Sequence, residues 1–330
     1  MEPLSTRFSW KLRNKIIDTS QSVFGVNPAR ILSQSEKQNL SYLINDDKYD
    51  IFHPTHFSSY YSGKLDRLHK PVVVTAYDLT REKYPEYFSL SINICNDTKY
   101  FFQNADRIIC ISEYTKHDVL SYYDVDPDIL DVVYLGPPLL QDRGTMIPDN
   151  QVNLSYPQYI LFVGMRSGHK NFYHFVEALR PILLDTEYVL VCAGSPFTSD
   201  EMTFFKSLSL EKKVVQLSPN NEELLSLYRC AILFVFPSLN EGFGFPVLEA
   251  FSCGCPVVCS STSCFPEIGG DAAVYFDPKD LTSIREAVYR VLTDDNLREK
   301  MRDLGYRQLK KFSWKKCAEE TKMVYESVLL

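Results

Sequence analysis

A chain of 330 residues is longer than one small core usually organises, so its length predicts two domains. Hydrophobic residues make up 45% of the sequence and charged residues 23%, which is typical of a globular protein and excludes a largely disordered one. The net charge of −7 argues against a general nucleic-acid-binding protein.

The N-terminal segment differs from the rest in charge. Residues 1–41 carry six basic and three acidic side chains, with aromatic residues among them. Such a segment is typical either of a helix packed on its own domain or, over residues 1–20, of peripheral contact with an anionic membrane. No apolar run approaches the roughly 20 residues that span a bilayer, and no signal-peptide core is recognisable. Nine cysteines without a Cys-x-x-Cys pair favour a reducing, cytoplasmic location.

Short β-branched runs alternate with helical patterns along the chain. These runs are continuously apolar, so both faces of each sheet must be covered, which predicts parallel α/β sheets. Strands are predicted over 71–79, 106–112, 131–136, 159–164, 188–194, 231–238 and 256–261. Helices are predicted over 171–184, 221–229, 246–253 and 281–292.

A polar stretch with four prolines over 137–157 interrupts this alternation and predicts a linker over 141–157. It separates an N-terminal α/β domain over 1–140 from a C-terminal α/β domain over 158–314. A last helix over 315–330 is expected to cross back to the first domain.

The stretch "SLNEGFGFPVLEAFSCGCPVV" (238–258) carries two carboxylates beside a glycine-rich turn. Glu241 lies on the loop that leaves a strand, whereas Glu249 lies in the first turns of a helix that Pro246 begins. In an open α/β sheet, the crevice at the carboxyl ends of the strands binds ligands.

The chemistry of this turn suits a nucleotide sugar. Gly242 and Gly244 permit close backbone approach, and the N–H groups of the following helix suit an anion. The carboxylates accept hydrogen bonds from vicinal hydroxyls, as on ribose or a hexose. The alternative is a capped helix with an incidental acidic loop.

Cations for a diphosphate are supplied by "FVGMRSGHKNF" (162–172). Gly164 ends a strand, Arg166 follows in the loop, and Lys170 and Asn171 open the next helix. Arginine and lysine from one such turn can hold a diphosphate and neutralise it as it leaves.

These segments resemble the retaining nucleotide-sugar glycosyltransferases of family 4. The resemblance rests on "VGMRSGHKN", "EGFGFPVLEA", "FPEIGGDAAVYFDP" and "FSW", and it extends over about residues 158–320. It implies the α/β GT-B fold, in which two Rossmann-like domains with parallel sheets face each other across a cleft. Within the family, the motifs are most similar to bacterial mannosyl- and hexosyltransferases of surface-polysaccharide assembly.

The resemblance also implies residue roles. Arg166 and Lys170 would bind the donor diphosphate, Glu249 the ribose hydroxyls, and Glu241 the transferred sugar; Glu241, Arg166 and Lys170 form the implied catalytic set. The implied donor-binding set comprises Gly164, Arg166, Lys170, Asn171, Glu241, Gly242, Phe243, Gly244, Phe245 and Glu249.

No metal or other cofactor is expected, because in this family arginine and lysine replace the cation. The pair Asp124 and Asp126 resembles the metal motif of the other glycosyltransferase fold, but its setting before Pro127 predicts a solvated turn.

The first half matches the family less fully. "YDIFHPTHF" (49–57) and residues 72–88 resemble the acceptor-side domain, which makes His53, His56, Tyr77 and Asp78 the acceptor-side candidates. Tyr77 stands where the family commonly carries a histidine.

Two further expectations concern the same half. Residues 1–48 read as helical, without the family's opening strand. Ser112 is predicted to cap a helix, and His117 to lie exposed upon it.

The sequence therefore predicts retaining transfer of a hexose to a hydroxyl of a glycan or lipid-linked acceptor, with GDP-mannose as the expected donor. The enzyme would act in polysaccharide or glycoconjugate synthesis. The side chains do not distinguish guanine, uracil and adenine nucleotides. A nucleotide-sugar epimerase and a non-catalytic partner that retains a donor-like site remain as alternatives.

Overall fold

The computed structural model describes residues 49–54, 57, 63–65, 68–88, 91–137 and 158–329. The predicted helical segment over 1–48, His56 and the predicted linker over 141–157 lie outside these ranges.

The first sheet belongs to the N-terminal part of the chain. Its strands within the described residues are all parallel and lie in the order β1-β2-β3. They are β1 (Val73–Ala76), β2 (Arg107–Cys110) and β3 (Leu130–Val132). The helices that accompany them are α1 (Thr80–Lys83), α2 (Ser91–Gln103) and α3 (Glu113–Tyr122).

Within residues 158–329, the second sheet has six parallel strands in the order β6-β5-β4-β7-β8-β9. Its strands are β4 (Tyr159–Val163), β5 (Val189–Ala193), β6 (Val214–Leu217), β7 (Leu233–Phe236), β8 (Val257–Ser260) and β9 (Ala273–Phe276). The helices are α4 (Phe172–Asp185), α5 (Ser199–Ser207), α6 (Asn221–Cys230), α7 (Phe245–Ser252), α8 (Phe265–Gly269), α9 (Leu281–Thr293), α10 (Asp295–Leu309) and α11 (Trp314–Ser327).

This strand order contains one topological switch point. Counted from β4, it reads 3-2-1-4-5-6, the doubly wound arrangement, and the order reverses between β4 and β7. Ligands of open α/β sheets bind at that point, outside the carboxyl ends of the strands. The loops that leave β4 and β7 are the two stretches in which the sequence places the donor site.

The continuous apolar character of the strands follows from burial on both faces. Tyr159 and Leu161 of β4 belong to one core, which α6 and α7 cover, whereas Ile160 and Phe162 belong to the core beneath α4 and α9. Because successive side chains of a strand point to opposite faces, a strand covered on both sides has no polar positions. The predicted parallel α/β fold is confirmed.

The helix α11 covers one face of the first sheet. Val324 packs against Val73, Ile109 and Val133, all of which are buried. This contact brings the last helix of the chain onto the N-terminal sheet.

The seven predicted strands are confirmed, but β6 and β9 were not predicted. Both are edge strands of the second sheet, and most of their residues are only half buried. An edge strand needs fewer apolar residues than a central one, so its sequence signal is weaker.

Candidate donor site at the switch point

The loop after β4 contains three residues with positive φ, of which Gly168 has a φ of +57°. Gly164 leaves the strand at a φ of +117°, and Asn171 precedes α4 at a φ of +58°. Between them the chain makes a 3₁₀ turn over Gly168–Lys170. The Asn171 side-chain amide donates to the carbonyl of Pro278 at 2.7 Å, and this hydrogen bond holds the end of the loop in place.

The loop after β7 leads into α7 without a side-chain cap. Gly244 precedes the helix at a φ of +89°, and Pro246 occupies the first turn. The described residues provide no hydrogen-bond acceptor for the N–H groups of Phe243, Gly244 and Phe245. Uncapped N–H groups at a helix N-terminus are suited to an anion or to ligand hydroxyls.

An ion pair joins the two loops. Nζ of Lys170 lies 2.5 Å from Oε1 of Glu241, and the two side chains are only 17% and 16% exposed. The Leu239 N–H also donates to the carbonyl of His169 at 2.7 Å. The sequence-predicted cation and carboxylate are therefore in direct contact at the switch point.

Arg166 has a different environment. Its Nε donates to Oε1 of Glu201 at 2.6 Å, and its Nη2 donates to Oε2 of Glu201 and to the Pro196 carbonyl. The guanidinium also lies 4.9 Å from the centre of the Phe197 ring. The residue is 7% exposed, so its charge is buried and already compensated. Its predicted contact with the diphosphate stays a prediction.

Glu249 lies on α7, half buried, and accepts a hydrogen bond from the Tyr228 hydroxyl at 2.9 Å. Burial raises the pKa of the Glu249 carboxyl above its ordinary value, although the bond from Tyr228 acts in the opposite direction. Its predicted contact with the ribose hydroxyls stays a prediction.

The side-chain positions of Gly242 and Phe243 are directed into the protein. The Phe243 ring is 2% exposed within the core, so only its backbone can face a ligand. A Cβ atom added to Gly242 would lie 1.8 Å from the Tyr77 carbonyl oxygen. The absent side chain of Gly242 thus permits close approach of the first domain, rather than of a ligand.

On the acceptor side, Tyr77 and Asp78 lie exposed at the carboxyl end of β1, beside Gly242. The ring nitrogens of His53 lie 2.7 Å from the Tyr325 hydroxyl and 2.9 Å from Oγ1 of Thr75. A contact between His53 and an acceptor would require the loss of one of these bonds.

Sequence reasoning missed His169. Its ring stacks on Phe88 of the first domain, with centroids 5.7 Å apart. Burial and the positive charge of the neighbouring Lys170 lower the pKa of His169, whereas the nearby carboxylates of Glu241 and Asp78 act to raise it. These four charged or titratable groups therefore converge at the cleft. No local sequence pattern around His169 predicts that its ring lies at the cleft.

A second missed feature is the contact made by Glu267. Its carboxylate accepts from the N–H groups of Glu113 and Tyr114, at 2.7 and 3.2 Å, and so caps α3 of the other domain. Ser112 caps the same helix as predicted, since Oγ accepts from the Thr115 N–H at 3.0 Å.

The Asp124–Asp126 motif lies exposed, and Asp126 caps the short 3₁₀ helix Pro127–Ile129, which confirms the predicted turn. Across the described ranges, no group of three His, Cys, Asp or Glu side chains is arranged to hold a metal ion. None of the described helices combines the length and apolar character that a membrane crossing requires.

Comparison with known proteins places these features in a class. The family model "Glycosyl transferases group 1" matches residues 147–308, and "Glycosyltransferase Family 4" matches residues 5–138. The chain is 28% identical over 298 residues to O-antigen chain mannosyltransferase B of Escherichia coli, with 87% of this chain and 76% of that protein covered. It is 26% identical over 219 residues to O-antigen chain mannosyltransferase RfbU of Salmonella typhimurium, with 66% of this chain and 60% of that protein covered.

Among solved structures, sucrose-phosphate synthase from Thermosynechococcus elongatus superimposes with a TM-score of 0.71 at 19% identity. The superposition covers 88% of this chain and 76% of that one. The two parallel sheets and this superposition show the GT-B fold. The matches of both halves place the chain in glycosyltransferase family 4.

Proposed function

We propose that the protein transfers mannose from GDP-mannose to a hydroxyl of a glycan or lipid-linked acceptor, with retention of the anomeric configuration, in the synthesis of a surface polysaccharide. The observation that carries this proposal is the Lys170–Glu241 pair at the switch point, beside the uncapped N-terminus of α7. The choice of mannose rests on the similarity to the two relatives, both of which are named mannosyltransferases.

In this proposal each charged group has one task. Lys170 neutralises the departing diphosphate, helped by the N–H groups at the start of α7. Glu249 accepts bonds from the ribose hydroxyls, and Glu241 from the hydroxyls of the transferred sugar. The Nε and Nη2 of Arg166 already donate to Glu201 and to the Pro196 carbonyl, so Arg166 would act on the diphosphate through Nη1.

The reaction breaks the bond between the sugar C1 and the diphosphate oxygen, and it forms a bond from C1 to the acceptor oxygen on the same face. The acceptor proton passes to the leaving diphosphate. On the acceptor side, Tyr77 and Asp78 lie exposed beside Gly242 of the donor loop. No metal is assigned a role, and we further propose a cytoplasmic location, with membrane contact through residues 1–20.

A donor screen tests the proposal. Thermal unfolding is followed with GDP, UDP and ADP, and then with their sugars, because a ligand at 100 times its dissociation constant stabilises by about 2.7 kcal/mol. We expect GDP and GDP-mannose to raise Tm most, and turnover to continue in excess EDTA. Activity that is lost with EDTA and restored by manganese would contradict the metal-free mechanism. Anomeric inversion in the product, detected by NMR, would contradict retention.

A further inference from the structure

The side chain of Asn240, the residue before Glu241, forms its hydrogen bonds with the first domain. Asn240 is 1% exposed, and its Oδ1 accepts from the Tyr114 hydroxyl at 3.0 Å. Its Nδ2 donates to Oγ1 of Thr80 at 2.8 Å. Both ends of this amide are therefore bound by α1 and α3, although Asn240 belongs to the second domain.

The residue after Glu241 is held from the same side. The carbonyl of Gly242 lies 2.8 Å from Oγ of Ser112 and 3.3 Å from Oγ1 of Thr115, and both of these side chains are buried. The first domain therefore contacts the chain immediately before and immediately after the carboxylate.

A half-buried cation, Lys83, orients the hydrogen bonds of this network. The Lys83 ammonium donates to the Tyr114 hydroxyl, and to Oδ1 and Oδ2 of Asp118 at 2.9 and 3.1 Å. Burial alone would lower the pKa of Lys83, but the bonds to Tyr114 and Asp118 outweigh it and raise the pKa. Because the Tyr114 oxygen accepts from Lys83, its own proton is directed at Asn240.

The second domain, in contrast, binds Glu241 itself. The Glu241 N–H donates to Oγ of Ser263 at 2.9 Å, and the same hydroxyl donates to the Glu241 carbonyl at 2.8 Å. The carboxylate is paired with Lys170. The position of this carboxylate in the cleft thus depends on contacts from both domains.

We propose that Tyr114 and Lys83 are positioning residues that set the placement of the Glu241 carboxylate through Asn240. This inference rests on the proposed function, in which Glu241 addresses the transferred sugar. If the Tyr114 hydroxyl is removed, the buried Oδ1 of Asn240 loses its donor, so the loop shifts or admits water. Sugar transfer then suffers, whereas nucleotide binding, which depends on Lys170 and Glu249, does not.

The variant Tyr114→Phe tests this, and Tyr123→Phe is its matched control. The Tyr123 hydroxyl donates to Oε1 of Glu82 at 2.6 Å, also within the first domain, but not to the loop of Glu241. Both variants lose one hydrogen-bonded phenolic hydroxyl near α1. A second variant, Thr80→Val, removes the acceptor at the other end of the Asn240 amide without affecting Tyr114.

Three quantities are measured for each variant: the Kd of GDP by calorimetry, kcat for transfer, and amide hydrogen exchange over 239–243. We expect Tyr114→Phe and Thr80→Val to keep the Kd within twofold. Their kcat should fall about 3- to 10-fold, as for one lost hydrogen bond, and exchange in the loop should become faster. Tyr123→Phe should change none of the three.

Equal kcat and equal exchange in Tyr114→Phe and Tyr123→Phe would overturn the inference, as would a fall in GDP affinity that matches the fall in kcat. A wild-type protein that transfers no sugar from any donor would instead refute the proposed function. The exchange comparison would then still decide whether Tyr114 positions the loop.

Discussion

The ammonium of Lys170 lies 2.5 Å from Oε1 of Glu241, so the cation expected to hold the donor diphosphate is paired with the carboxylate expected to hold the sugar. Each group neutralises the other in the absence of ligand. We expect the diphosphate to become the main partner of Lys170, which frees Glu241 for the sugar hydroxyls. This exchange makes the roles of the two residues separable.

Substitution of Lys170 by methionine should weaken nucleotide binding. The loss of one charge-assisted bond costs roughly 1.5–3 kcal/mol, which is about 10- to 150-fold in the Kd of GDP. Calorimetric titration measures this, and Lys206→Met, which removes an exposed lysine on α5, serves as the control. An unchanged Kd in Lys170→Met would contradict the assignment of the anion site.

The two glutamates should respond differently to the same substitution. Glu249→Gln should weaken the binding of GDP and of the complete donor alike, because both carry the ribose. Glu241→Gln should bind GDP at least as well as wild type, since Lys170 is released from its partner, yet lose turnover. Titration of GDP and a transfer assay on both variants check this. A loss of GDP binding in Glu241→Gln alone would show that the roles are reversed.

Arg166 should contribute more to stability than Lys170 does. Removal of one partner of a buried ion pair typically costs 3–5 kcal/mol, so Arg166→Met should lower the free energy of unfolding by about that amount. The double variant Arg166→Met/Glu201→Met should recover part of the loss, because no unpaired charge remains. Urea denaturation of the four members of this cycle measures the coupling. Additive effects would contradict the importance of the pair.

The half-buried carboxyl of Glu249 predicts a pH-dependent effect on stability. Its folded-state pKa is raised above the ordinary 4.5, so the folded protein is relatively most stable with this group protonated. That stability is lost as the pH rises from about 4.5 through the raised pKa. Since glutamine does not ionise, Glu249→Gln should gain stability relative to wild type between pH 4.5 and 7. A difference that stays constant over this range, measured by urea denaturation, would contradict the raised pKa.

The sequence predicted the features that depend on periodicity and local chemistry. Continuous apolar runs gave the central strands, and Pro246 after Gly244 marked the start of α7. The loops of Lys170 and Glu241 were expected in one crevice, and the structure brings these two side chains into contact.

The features that were missed depend on long-range contacts. The residues around Arg166 give no indication of its partner Glu201, which lies 35 residues away and forms an ion pair with the buried guanidinium. The bonds from Tyr114 and Thr80 to Asn240 cross between domains, and a single polar residue before a glutamate does not reveal such partners. Local patterns cannot report a partner whose position is set by tertiary packing, within one domain for Arg166 or between two domains for Asn240.

The proposal that Glu241 serves in mannose transfer from GDP-mannose is tested most directly by an initial rate. This rate is measured for wild type and Glu241→Gln with a mannose-terminated oligosaccharide as acceptor. We expect wild type to form product with retained configuration, and Glu241→Gln to bind GDP but to form product at a rate reduced by at least about tenfold, a difference of 1.4 kcal/mol. Equal rates for the two proteins, or transfer by wild type only from a donor other than GDP-mannose, would contradict it.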